Sequence, residues 1–273
     1  MRGKGKIATA VRTPGGGIVS KIQDFTPFTE KYKIFNIFIL RGFVNLVEML
    51  IIGVKTLSFS ADIALENEKN KKSDKINAIE FFFTFIFALL TSVVLFIVLP
   101  AGAFTLLKNK ISNILLLNFL EGLVRITIFF TFLITTLFSK DMRRIFQYHG
   151  AEHKAVHTYE EGKELSLVNI KKAKKEHSRC GTSFIMVVLI ISILVFSLLG
   201  RPSFVYRIIA KLLLMPIISG ISYEIIKILS KYDKLFLMQV FTLPGILTQK
   251  ITTREPDEKQ IEVAVSALRK VVT

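Results

Sequence analysis

Two uninterrupted apolar runs, residues 81–99 and 184–199, constrain this chain more than any other feature. Each approaches the roughly 20 residues that a helix needs to cross a lipid bilayer. A soluble core has little room for such runs in a chain that is 51% hydrophobic with a mean hydropathy of +0.49, so the excess apolar mass belongs in a membrane. Residues 78–100 read as an unbroken span that stops at Pro100, and residues 113–138 as a second span that carries Glu121 and Arg125. Residues 182–199 and 204–229 form two more, and Gly200-Arg201-Pro202 between them suffices only for a tight turn, which makes a helical hairpin. Residues 34–58 are apolar but interrupted by Arg41, Gly42, Glu48 and Lys55. They read as a polar-faced span, a re-entrant segment or a helix lying in the interface. The expected fold class is mainly α: a polytopic membrane protein with about four transmembrane helices, one re-entrant or interfacial helix, and small cytoplasmic α/β elements.

Charge sets the expected orientation. The formal charge is +16, and Lys and Arg number seven in residues 1–33, ten in 139–181 and seven in 230–273, against two in 101–112 and one in 200–203. The first three segments are therefore expected inside, with both termini cytoplasmic. Nucleic acid is the competing explanation of so basic a chain, but Lys and Arg flanking apolar spans are explained more simply by topology, so no nucleic-acid partner is expected. The expected partners are the bilayer and its anionic headgroups, with Lys171-Lys-Ala-Lys-Lys175 placed near them. The first 33 residues are polar and basic without an apolar core, so no signal peptide is expected. A single cysteine, Cys180, excludes an intrachain disulfide and agrees with a reducing compartment.

The chain divides on these grounds into five stretches. Residues 1–32 read as strand, turn and strand around Pro14-Gly-Gly-Gly17, and residues 33–138 as a first membrane block containing a charged loop at 66–75. Residues 139–181 are a cytoplasmic His-rich loop and helix, 182–229 the hairpin, and 230–273 a cytoplasmic tail. The tail is expected to run extended through Ile251-Thr-Thr253 and to end in an amphipathic helix over 261–272.

The polar chemistry is concentrated in the third stretch. All four histidines, His149, His153, His157 and His177, fall within 29 residues. The first three are spaced i, i+4, i+8 and share an arc of about 80° on a helix, with Glu160 inside that arc and Glu152 on its edge. Histidines one turn apart can bind one ion, and a nearby carboxylate can serve as ligand or general base. His149-Gly-Ala-Glu152-His153 also matches the H-x-x-E-H pattern of inverzincin metallopeptidases, in which the glutamate activates water. The bland explanation is a polar helix with incidental histidines. His177 and Cys180, three residues apart, suit zinc or another borderline ion, and Arg179 beside Cys180 would lower its thiol pKa, although a lone Cys at the start of a helix is also a common packing residue. Inside the membrane, Arg41, Glu48, Glu121, Arg125 and Glu224 are costly charges that can converge on a polar site or pair structurally, with Glu121 and Arg125 spaced i, i+4.

Several strings resemble the YqhQ-like family of bacterial membrane proteins: Tyr148-His-Gly-Ala-Glu-His-Lys154, His177-Ser-Arg-Cys-Gly-Thr-Ser-Phe184, Leu243-Pro-Gly245, and Thr252-Thr-Arg-Glu-Pro-Asp257 followed by Gln260-Ile-Glu-Val-Ala264. The resemblance extends over nearly the whole chain. It implies a bacterial inner-membrane protein of a family whose function is unknown and whose members are commonly described as predicted metal-dependent enzymes. Residues and resemblance together lead to the expectation of a metal-dependent membrane enzyme, a hydrolase of a lipid-linked or membrane-associated substrate. His149 and His153 would ligate zinc, or alternatively iron or manganese, completed by one of His157, Glu160 or His177, with Glu152 as base or ligand. The rival expectations are a membrane assembly or scaffold protein with a structural metal site, and a transporter working through Glu121, Arg125 and Glu224.

Overall fold

The structure is a computed structural model that describes residues 1–65, 78–177, 180–231 and 236–272. The expected charged loop at 66–75 and Arg179 lie outside the described residues. The chain opens with β1 (Lys6–Arg12) and β2 (Ile18–Asp24), paired antiparallel with Lys6 opposite Asp24 and Arg12 opposite Ile18. The loop between them closes through Thr13 N–H to the Gly17 carbonyl (2.8 Å), and Gly16 takes a φ of 87°, a left-handed value that glycine reaches without a Cβ penalty. Helices follow in the order α1 (Phe28–Lys31), α2 (Leu40–Leu65), α3 (Ala78–Val93), α4 (Leu99–Leu107), α5 (Ile114–Thr136), α6 (Lys140–Glu160), α7 (Leu167–Lys172), α8 (Gly181–Ser197), α9 (Phe204–Lys231), α10 (Phe236–Thr252) and α11 (Glu258–Val272).

Among the described residues, four helices are long and apolar enough to cross a membrane: Leu40–Ile63, Phe82–Leu107, Ile114–Thr136 and Phe204–Leu229. Helix α8 is apolar but has 17 residues, a length of about 25 Å at 1.5 Å per residue. The protein is thus a mainly α polytopic membrane protein with a small two-stranded sheet.

One span differs from its sequence reading, and the interrupted segment before it takes a definite form. Pro100 does not end its helix. Val94–Val98 form a π turn that joins α3 to α4, and Pro100 sits in the first turn of α4, where its missing N–H is tolerated. Segment 34–58 divides at Ile39, whose φ is 71°: a 3₁₀ turn over Lys33–Asn36 precedes it, and from Leu40 onward it is the first part of α2. At its start α2 crosses α9 closely: a Cβ at Gly220 would lie 2.3 Å from the Ile39 carbonyl oxygen, and one at Gly42 would lie 2.8 Å from the Gly220 Cα. Farther along, polar elements flank it. Phe28 N–H donates to the Glu48 carboxylate (2.9 Å), and the Lys21 ammonium lies 5.4 Å from the Phe59 ring centroid.

The short linkers after α4 and α8 meet at one end of the bundle, where the Arg201 guanidinium donates to the carbonyls of Lys108 (3.0 Å), Ile111 (2.7 Å) and Ser112. At the opposite end, where α5 stops and α8 begins, β1, α6, α7 and α11 share an apolar core of Ala8, Ala151, Ala155, Ile170, Ile261, Ala264, Leu268 and Val271. Helix α11 contributes its half of that core at i, i+3, i+7 and i+10, one helical face. It begins at a reciprocal capping box, Gln260 N–H to Asp257 Oδ1 (2.7 Å) and Asp257 N–H to Gln260 Oε1 (2.9 Å). Ile251 and Thr252, expected to be extended, instead form the last turn of α10.

Candidate metal centre

Helix α6 is a self-contained platform. Ser139 caps its N-terminus, accepting from Met142 N–H (3.3 Å). Its C-terminus closes in a Schellman motif, with Gly162 at φ 68°, Gly162 N–H to the Tyr159 carbonyl and Lys163 N–H to that of Thr158. Between these ends His149, His153 and His157 stack along one face, the first two rings 4.3 Å apart between centroids.

Each ring is aimed by a backbone carbonyl. A carbonyl only accepts, so the ring nitrogen facing it carries the proton. His149 Nδ1 faces the Thr252 carbonyl (2.8 Å), which leaves Nε2 directed at Cys180 Sγ (3.1 Å). His153 Nδ1 faces the Lys175 carbonyl (2.5 Å), and His157 Nε2 faces that of Glu176 (2.6 Å). Two groups of donor atoms result, His149, His153 and Cys180 in one and His157, Glu160 and His177 in the other, each with all its atoms within 4.8 Å of one another. Cys180, rather than a residue of the second group, lies beside His149 and His153. A cavity of about 330 Å³ is lined by His149, Glu152, His153, Glu160, His177 and Cys180, all three donors of the first group and two of the second.

Electrostatics favour a thiolate. Burial pushes the Cys180 thiol up, but hydrogen bonds from His149 and His153, the charge of His149 and a bond from Thr182 bring it down to about 5. Burial likewise works against protonation of His149, yet Cys180, the Thr252 carbonyl and Glu152 together leave it raised. At His177 burial outweighs the attraction of Glu160, and the pKa is lowered.

The support for these rings comes from α10 and the turn after it, which sequence reasoning had placed only as a tail. Gln249, fully buried, brackets the backbone of His177, accepting from its N–H (2.7 Å) and donating to its carbonyl (2.8 Å), and also donates to Ser183 Oγ (3.1 Å). A Cβ at Gly245 would lie 2.6 Å from Ser183 Oγ, so only glycine allows α10 this close to α8. Arg254 N–H returns to the Phe146 carbonyl of α6 (2.9 Å). Lys154, buried, pairs with Glu255 and donates to the Lys171 carbonyl (2.9 Å).

The intramembrane charges do not converge on one site. Arg41 and Glu224 form a bidentate pair between α2 and α9, while Glu48 accepts the Phe28 N–H. Glu121 lies 3.6 Å from Arg125, its i+4 neighbour, but its main partners are Arg207 (2.5 Å) and Lys211 on α9. Neither α9 residue was singled out from the sequence, although charges spaced i, i+4 in an apolar span are a signal of the same kind as Glu121 and Arg125. Asn118 accepts from Arg207 (2.7 Å), Ser192 accepts from Arg125 (3.0 Å), and the Arg207 guanidinium stacks on Phe104 at 3.4 Å from its centroid.

All six donors lie within residues 37–273, the part of the chain matched by a family model described as "Protein of unknown function (DUF1385)". The "Uncharacterized protein YqhQ" of Bacillus subtilis (strain 168) is 27% identical over 284 aligned residues, covering 99% of this chain and 88% of that relative. No solved structure matches the chain. Family match, relative and membrane architecture agree: the chain belongs to the YqhQ-like DUF1385 family.

Proposed function

We propose that this protein is a metal-dependent hydrolase of the cytoplasmic membrane, acting at its inner face on a lipid-linked or membrane-associated substrate. The observation that carries the reading is the carbonyl-directed tautomers: with Nδ1 of both rings occupied, Nε2 of His149 and of His153 are left for an ion beside Cys180 Sγ. Two imidazoles and a thiolate suit zinc first, with iron or manganese as alternatives. A divalent ion there supplies Lewis acidity, which makes water more acidic and polarises a carbonyl or phosphoryl oxygen. Glu152, which lines the cavity, would take a proton from attacking water. The basic segments on this end of the bundle support a cytoplasmic orientation, and the run from Lys171 to Lys175 suits contact with anionic headgroups. Transport has weaker support, since Glu121 is saturated by α9 cations. A scaffold with a structural ion is the remaining rival.

Metal analysis of detergent-purified protein tests the site. His149→Ala and His153→Ala are each expected to weaken zinc binding at this group at least tenfold, in line with losses of about 10–100-fold on removing even the groups that orient ligands. Metal content equal to wild type in both variants overturns the reading. Glu152→Gln separates enzyme from scaffold. It should keep its zinc but lose about 10²-fold or more of p-nitrophenyl ester hydrolysis by zinc-loaded protein in lipid nanodiscs. Wild-type hydrolysis in that variant, or none in wild type, argues for the scaffold.

A further inference from the structure

We propose that the cavity is a two-ion centre, with a second metal site at His157, Glu160 and His177 beside the one at His149, His153 and Cys180. This deepens the functional reading above and rests on it.

The two donor groups share no residue, and each is compact, with its atoms within 4.8 Å of one another. One tetrahedral ion uses four ligands, so a single ion would leave at least two of these six donors without a role. Spacing within each group suits a shared ion. Donors about 2.0–2.3 Å from a tetrahedral ion stand about 3.3–3.8 Å apart. The contacts between His149 Nε2 and Cys180 Sγ and between His177 Nε2 and Glu160 Oε2, both 3.1 Å, come close to that spacing, one in each group. The orienting device is also repeated. The consecutive carbonyls of Lys175 and Glu176 fix His153 and His157, one helical turn apart, and each fixes a ring of a different group. The next residue, His177, presents its own ring from a backbone clamped on both sides by Gln249. Residues 175–177 therefore template both groups at once. His177 joins them spatially, its centroid 4.7 Å from that of His157 and 5.8 Å from that of His153.

Three protein ligands per ion would leave each a fourth position, and the cavity is lined by all three donors of the first group and by Glu160 and His177 of the second, the layout of a catalytic rather than a structural site. Two ions held by these residues would supply Lewis acidity to both sides of one substrate, which would suit a phosphoester or another anionic ester. The groups differ in softness. The thiolate is confined to the first, and the carboxylate makes the second more receptive to manganese or iron.

Cobalt titration of chelator-stripped protein tests this without reference to activity. Thiolate-to-cobalt charge-transfer absorption should saturate at one equivalent while ligand-field absorption rises to two. Glu160→Gln, at an exposed position, and His157→Ala should each remove the second equivalent and keep the thiolate band. Circular dichroism verifies that both variants fold. A wild-type end point at one equivalent, with a thiolate band lost in His149→Ala and unchanged in His157→Ala, overturns the second site and leaves the one-ion reading standing. An end point of zero overturns both.

Discussion

Replacing Glu121 by glutamine is expected to cost about 3–5 kcal/mol of stability, the range for breaking a buried ion pair from one side. Glu121 is 3% exposed and is the carboxylate on which Arg125, Arg207 and Lys211 converge. The glutamine keeps size and shape but leaves three cations facing one another in a packed, apolar setting. A loss of that size is a large share of the roughly 5–15 kcal/mol that separates a typical folded chain from its unfolded state. Thermal melting followed by circular dichroism is the measurement, since the chain has no Trp to report by fluorescence. Adding Lys211→Met to Glu121→Gln should recover part of the loss by removing one of the orphaned cations. A wild-type melting temperature for Glu121→Gln would show that the cluster does not hold the bundle together and would reopen the transport reading of these charges.

The second large effect is expected from a single methyl group. A Cβ at Gly150 would lie 2.1 Å from the Arg254 carbonyl oxygen and 3.2 Å from its carbon, so Gly150→Ala forces α6 and the segment after α10 apart by about an ångström. Overpacking of this kind costs about 1–3 kcal/mol, but the larger consequence is chemical. Arg254 follows Thr252 by two residues, and the Thr252 carbonyl is what directs His149 toward Cys180. The folded fraction of Gly150→Ala should lose metal at the first group while His157, Glu160 and His177 keep theirs. Full occupancy of both groups in this variant would show that the Thr252 contact does not govern the site.

Much of the membrane architecture was legible because span length and apolar continuity are properties of contiguous sequence. So was α11, whose core residues repeat at helical spacing. Pro100 misled because a π turn absorbs the lost hydrogen bond, and nothing local in the sequence announces that turn. The three α6 histidines were legible as a group because one helix holds them. The pairing of His149 with Cys180 was not, since 31 positions separate them and their meeting depends on how α8 docks. The groups that aim the rings are main-chain carbonyls of Thr252, Lys175 and Glu176, which carry no side-chain signature at all. The strings Leu243-Pro-Gly245 and Thr252-Thr-Arg254 resembled the family without a visible purpose. In the structure they are the close approach of α10 to α8 and the brace behind His149.

That brace fixes the order in which the centre can come into being during translation. His149, His153 and His157 leave the ribosome about a hundred residues before Gln249 and Thr252 do. Until the last tenth of the chain has been made, His149 lacks its carbonyl and His177 its amide clamp. A nascent chain, or one truncated before Gln249, therefore inserts its helices with His149 unaimed and His177 unclamped, and only a chain that extends past Thr252 holds the donors of the first group in register.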